Sequence, residues 1–228
     1  MRKAGTSGAI TRQAIREAAI ELIATHGFES MSLRDLAAKC GIKAGSLYNY
    51  FGSKQDLLRD LLRDVMEELL REFDEQVRPL EGVIDQVRAF VRLHILFHTR
   101  RRMEVIIGNT ELRSLTEENY RLVTQLRGEY ESRLRKIIAR GIELSVFRVP
   151  DAKVTSFMII AALTGVGYWY RPNGALSQRK LIAMHEQLVL QALGVDPEAY
   201  SSVGGEGEQD AGREARAEAS DETTAGVR

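Results

Sequence analysis

One cysteine in 228 residues, Cys40, leaves nothing within the chain for a disulfide to close on. That excludes a disulfide-stapled secreted scaffold and fits a reducing cytoplasm. The longest apolar stretch, Phe157 to Tyr170, is well short of the roughly 20 residues that span a bilayer. Arg12, Arg16 and Glu17 interrupt the N-terminal segment, so no signal peptide is expected. A cytoplasmic protein without a membrane partner is the expectation. No segment alternates apolar and polar residues with the period of a strand, and no internal repeat is visible. Gly165-Val166-Gly167 follows no strand, which excludes reading it as a nucleotide-binding loop.

Net charge is also absent, yet this zero is the sum of unequal parts. Residues 1–54 hold eight Lys/Arg (Arg2, Lys3, Arg12, Arg16, Arg34, Lys39, Lys43, Lys54) against four acids (Glu17, Glu21, Glu29, Asp35), an excess of 4 positive charges. Residues 201–228 hold seven acids against three Arg, with no aromatic residue and many Gly, Ala and Ser. Such a tail cannot bury enough surface to fold and reads as disordered, so a disordered acidic segment is expected over 199–228. The basic end implies an anionic partner for the N-terminal part.

What the chain does have is helical spacing almost throughout, and an all-α fold of about nine helices follows. Ile15, Ala18, Ala19, Leu22 and Ile23 stripe a first helix over about 10–26, stopped by Gly27. Ser32 caps a second, with Asp35 as its capping-box partner. Leu33, Leu36, Ala37 and Cys40 lie on that helix's single buried face, so Cys40 is a small core hydrophobe. Gly41 ends it and a third begins near Lys43 or Ala44. With 100° per residue and Leu47 at zero, Phe51 falls at about 40° and Ala44 at about 60°, so these pack inward. Gly45, Ser46 and Asn49 lie opposite, flanked by Tyr48 and Tyr50. Two short helices joined by a Gly-containing turn, with small, polar and aromatic groups left facing solvent, form a helix-turn-helix. Asn49 can offer an amide to a base edge, and tyrosine hydroxyls can donate to phosphate oxygens. Ser53 caps a fourth helix, and Lys54 in its first turn adds a cation to exposed backbone N–H groups, a phosphate clamp.

The run from Ile15 to Leu58 resembles the DNA-binding region of TetR-family transcriptional regulators. The resemblance rests on Ala18, Gly27, Phe28, Ser32, Leu36, Ala37, Gly41, Gly45-Ser46-Leu47-Tyr48, Phe51, Lys54 and Leu57-Leu58, about a fifth of the chain. It implies an all-helical homodimer with N-terminal helix-turn-helix units and a variable ligand-binding body. Over this chain that gives a head at 1–54 with a basic N-terminal arm and a ligand-binding and dimerisation domain at 55–198. Carried over by position, Lys43, Ala44, Gly45, Ser46, Tyr48, Asn49 and Tyr50 should face double-stranded DNA at a near-palindromic operator. Arg34 should reach phosphate or a base, and Ser32 and Lys54 should hold phosphate. Tyr50 is the one departure, since relatives often carry His there. The segments NTELRSLTEENY (109–120), GIELSVFRVPD (141–151) and WYRPNGALS (169–177) resemble the branch whose effectors are acyl-CoA thioesters. The function implied is a repressor, not an enzyme, released by a small hydrophobic effector such as an acyl-CoA.

Further helices follow at about 82–98, 101–113, 117–141, 151–170 and 178–194, with Gly141, Pro150 and Pro172-Asn173-Gly174 between them. Phe90 and His94, then Met103, Ile106, Ile107 and Asn109, then Tyr120, Val123, Arg127 and Tyr130 recur at steps that can line an inter-helix cavity. A CoA thioester needs a cationic mouth, for which Arg113 and Arg127 are the candidates. A drug or aromatic effector, as in efflux regulators, remains an alternative with the same fold. His94 and His98 stand at metal-ligand spacing with no third ligand apparent, so a small helical metalloenzyme is a distant rival. A satisfied, buried His94 and an exposed His98 are the simpler expectation, with no metal and no cofactor. Small residues at Ala161, Ala162, Thr164, Gly165 and Gly167 should let a partner helix approach. The last two helices then form a four-helix interface with a second copy.

Overall fold

The computed structural model describes residues 4–195, with side chains from residue 12 onward. The expected basic arm residues Arg2 and Lys3 and the expected acidic tail lie outside the described residues.

Helix α1 (Ala4–His26) ends where Gly27 turns into the left-handed region at φ 81°, a conformation glycine adopts without a Cβ penalty. Ser32 then caps α2 (Leu33–Lys39), its hydroxyl accepting the Asp35 N–H at 3.1 Å. A second left-handed glycine, Gly41 at φ 65°, leads to a short 3-10 helix, Ala44–Asn49. Ser53 caps α3 (Lys54–Gln76) in the same way as Ser32, through the N–H of Asp56. The apolar faces of these elements meet in one cluster that includes Ile15, Ala19, Ile23, Phe28, Leu36 and Leu47. The cluster runs past residue 54 to take in Leu57, Leu58, Leu61 and Leu62 of α3, together with Ile107 and Val123 from the body. Head and body therefore share a helix and part of a core.

The body comprises the rest of α3 with α4 (Val83–Arg100), α5 (Arg102–Thr110), α6 (Glu117–Glu143), α7 (Ala152–Trp169) and α8 (Gln178–Ala192). Leu112–Ser114 forms a 3-10 turn between α5 and α6. Buried Phe73, Phe90, Leu93, Phe97, Leu134 and Ile138 centre a second cluster. Among the described residues the fold is wholly helical, as the spacing predicts.

Gly141 behaves differently from expectation. It does not stop α6, which continues to Glu143. A Cβ on Gly141 would fall inside the ring of Phe147, so glycine is required there by packing. The turn itself is made by Ser145, which takes a left-handed φ of 57°.

Helix α7 is long and apolar enough to cross a membrane by composition alone, although only 33% of it is buried in this chain. Its inward face carries Ser156 and Thr164, which bond Glu131 on α6 and His94 on α4. Its outward face shows Val154, Phe157, Met158, Tyr168 and Trp169, each exposed, and α8 adds Met184 and Leu188 beside it. Of the small residues expected on that face, Ala161 and Ala162 are exposed. Thr164 and Gly167 instead turn inward, and the Gly167 carbonyl accepts Nε of Arg102 at 2.7 Å.

Candidate nucleic-acid interface and internal cavity

The 3-10 winding of Ala44–Asn49 decides which side chains the head presents. At three residues per turn, positions i and i+3 eclipse. Ala44, Leu47 and Tyr50 therefore share one face. Leu47 is fully buried, and Ala44 and Tyr50 are half-buried against the head core. Tyr50, expected to face DNA, is half-buried against the head core because the turn is tighter than the α-helix assumed from spacing. Tyr48 is 59% exposed, and Gly45, Asn49 and Lys43 are also exposed, with Ser46 half-exposed between them. Arg34 on α2 is exposed, and neither it nor Lys43 has an ion pair among the described residues. Lys39 by contrast is paired with Glu21 at 2.7 Å, and Arg16 with Asp64 at 2.8 Å.

The two expected phosphate holders are both engaged within the head. The Ser32 hydroxyl donates to Oδ2 of Asp35 at 2.6 Å while it accepts the Asp35 N–H. Lys54 Nζ donates to the Glu29 carbonyl at 3.0 Å and lies 4.4 Å from the centroid of the Phe28 ring. Lys54 thus ties the start of α3 to the loop between α1 and α2.

Within the body, α3 to α7 line a partly open cavity of 290 Å³. Helix α3 contributes Leu62, Val65, Met66 and Leu69, α7 contributes Phe157, Ile160 and Thr164, and Phe97 and Val105 complete its apolar wall. Of the residues expected in a ligand site, His94, Asn109, Val123, Arg127 and Tyr130 line it. Phe90 stands behind it, its ring stacked on Tyr130 with centroids 5.3 Å apart. Ile107 is buried in the head's cluster instead, because α5 packs its other side against α1. Met103 and Tyr120 are exposed, Arg113 lies exposed in the turn after α5, and Ile106 is half-buried; none of these lines the cavity. Spacing could not have flagged the α3 and α7 residues, because a side chain facing a void has the same period as one facing a core. A larger groove along α3 and α6 is lined mainly by charged residues such as Arg71, Asp74 and Arg78 and lies open to solvent.

The polar groups of the cavity are ordered. His94 is fully buried, with Nδ1 3.1 Å from the Tyr130 hydroxyl and Nε2 3.1 Å from the Thr164 hydroxyl. His98, expected at the surface, is buried too. Its ring stacks on that of His94 at 3.7 Å, and its Nδ1–H donates to the His94 carbonyl at 2.8 Å. Burial pushes the His94 imidazole well below its ordinary pKa, with the neighbouring His98 adding to the effect. Burial likewise pushes His98 down to about 4, against the hydrogen bond to the His94 carbonyl and with help from the charge of Arg127. Both histidines are neutral at pH 7. No group of three potential metal ligands occurs among the described residues, and both His94 nitrogens are engaged by hydroxyls. Arg127, its pKa lowered by burial, places Nη2 on the Gly108 carbonyl at 2.8 Å and on Oδ1 of Asn109 at 3.0 Å.

Residues 15–61 match the profile of the bacterial regulatory proteins of the tetR family, and residues 81–193 match a tetracyclin repressor-like C-terminal domain. The chain belongs to the TetR family. The TetR head profile coincides with the head's apolar cluster, which begins at Ile15 and reaches Leu62 on α3. As a TetR-family protein the chain is a DNA-binding transcriptional regulator, and such regulators act as dimers. Among curated relatives, the HTH-type transcriptional repressor KstR2 of Mycobacterium tuberculosis is 25% identical over 182 residues, spanning 78% of this chain and 90% of the repressor. Among solved structures, a tetR-family regulatory protein from Rhodococcus RHA1 superposes with a TM-score of 0.76 at 24% identity, covering 82% of this chain and 98% of that one. AibR, solved with isovaleryl coenzyme A and operator DNA, superposes with a TM-score of 0.71 at 24% identity, covering 80% and 97%.

Proposed function

We propose that the chain is a dimeric repressor that leaves its operator when a small, largely apolar effector fills the cavity between α3 and α7. One observation carries this reading: Leu62 and Val123 line the cavity and also belong to the head's apolar cluster. An effector that moves either side chain acts on the packing that orients the head. The apolar face of α7 and α8 supplies the dimer contact. Two heads reading successive major grooves must stand roughly 34–36 Å apart, so a modest rotation about the shared core is enough to break the fit. Shifting such an equilibrium from 1:99 to 99:1 takes about 5.5 kcal/mol of differential affinity.

A cavity of 290 Å³ lies at the small end of the range of about 300–1,000 Å³ usual for ligand sites. It holds a short acyl chain or a single ring, and not a coenzyme A. An acyl-CoA effector would therefore bury its acyl end and leave the nucleotide outside. AibR, crystallised with isovaleryl coenzyme A, and KstR2, named as a repressor, are similar proteins that agree with this class. The test is an operator-release titration with acyl-CoA thioesters of increasing chain length. Release that peaks at short or medium chains supports the class. Release by aromatic drugs and by no thioester points to the efflux-type alternative.

A further inference from the structure

The hydrogen-bonding role of His98 in the cavity is fixed by its backbone contact. A carbonyl oxygen can only accept, so the contact with the His94 carbonyl puts the proton on Nδ1 of His98. Its imidazole is neutral, so Nε2 carries a bare lone pair. No hydrogen bond among the described residues reaches that atom, and it is not sealed inside packed protein; the ring lines the cavity. The second feature is Arg127. Its Nη2 is held by Gly108 and Asn109, and among the described residues no hydrogen bond reaches its Nε or Nη1 and no carboxylate pairs with it. The acids that also line the cavity are occupied: Glu104 by Arg101 at 3.1 Å, and Glu131 by the Ser156 hydroxyl at 2.6 Å and by Arg135 at 3.3 Å. The cavity thus offers an acceptor at His98 and, at Arg127, a cation with donors to spare, among side chains that are apolar or already paired.

We infer that the cavity selects a hydroxylated apolar acyl group, its hydroxyl donating to Nε2 of His98 and its carbonyl or carboxylate oxygen accepting from Arg127. A ligand without the hydroxyl leaves a buried acceptor unpaired, and one without the oxygen forgoes the half-buried Arg127 cation; each is penalised. His94 takes no part in the selection, since its two nitrogens are already engaged by Tyr130 and Thr164. The inference rests on the reading of this cavity as the effector site. The same chemistry is carried by a free hydroxy acid and by its thioester, which differ only in the oxygen offered to Arg127.

Calorimetry on the full chain distinguishes the sources. The probes are octanoic acid, 2- and 3-hydroxyoctanoic acid, and the coenzyme A thioester of each, with operator release followed in parallel. The expected result is that one hydroxylated isomer binds about fivefold to tenfold more tightly than its unsubstituted counterpart, in the acid arm or the thioester arm. His98→Phe, which keeps a ring to stack on His94, should abolish that preference by weakening only the hydroxylated probe. Arg127→Met should weaken both members of a pair. Equal binding of hydroxylated and unsubstituted probes to the unsubstituted protein overturns the inference without any variant. If the unsubstituted probe still releases operator, the proposed function survives that outcome; if no probe binds or releases, both fall.

Discussion

The side-chain amide of Gln55 donates to the Ser114 carbonyl at 2.7 Å, and its oxygen accepts the Thr116 N–H at 3.1 Å. Gln55 sits in the first turn of α3, one residue from Lys54, while Ser114 closes the turn that joins α5 to α6 and Thr116 is the residue before α6. The reading head is thus clipped to the two helices that carry Asn109, Arg127 and Tyr130. Loss of these bonds in Gln55→Ala should uncouple the sites by about tenfold while sparing each site itself. The measurement is operator affinity with and without effector; an unchanged ratio would show that coupling runs elsewhere.

The histidine pair makes stability depend on acidity. The folded-state pKa of His98, about 4, lies below the unfolded value near 6.5, so the unfolded chain binds more protons between those limits. His94 is shifted in the same direction. Their contribution is complete above about pH 6.5 and is lost as pH falls toward about 4. For His98 alone the loss from pH 7 to pH 5 is about 2 kcal/mol. Urea melts at the two pH values should show it, and His98→Phe should flatten the dependence.

Gly141 tests packing without touching either site. Gly141→Ala thrusts a methyl group at the Phe147 ring and should cost about 1–3 kcal/mol, a fall of roughly 3–10 °C in melting temperature. Adding Phe147→Leu should recover part of the loss.

The outer row of α7 and α8 should control assembly. Met158→Arg with Leu188→Glu places charges on the exposed apolar face and should yield monomers by sedimentation, with operator affinity reduced at least tenfold. Persistence of the dimer would place its interface on another surface.

Much of this architecture was legible beforehand. Ser32 and Ser53 each accept the backbone N–H three residues on, as cap residues before apolar runs should. The Leu47 and Phe51 faces also followed from spacing. What spacing could not supply was the pitch of Ala44–Asn49, and the tighter winding leaves Tyr50 half-buried. Nor could it reveal that Lys54, expected at phosphate, would settle on Phe28 and Glu29, since both lie in a loop about 25 residues earlier in the chain. The cavity was visible only from one side: His94, Arg127 and Tyr130 stood out as polar or aromatic groups in a helical stripe. Leu62, Met66 and Phe157 look like any core or interface residue until the void beside them is seen. His98 was expected at the surface; one turn on from His94 it shares that residue's inward face, and its ring is covered by the stack with His94.

The central claim is that the exposed row from Lys43 to Asn49, with Arg34 beside it, grips duplex DNA. Fluorescence anisotropy with promoter fragments from the protein's own locus, titrated in rising salt, tests this most directly. The account predicts sequence-selective binding that weakens steeply with salt, and a Tyr48→Ala variant that remains dimeric yet loses about tenfold in affinity. Binding with no preference between promoter and random duplex, or a Tyr48→Ala protein that binds as well as the parent, would contradict it.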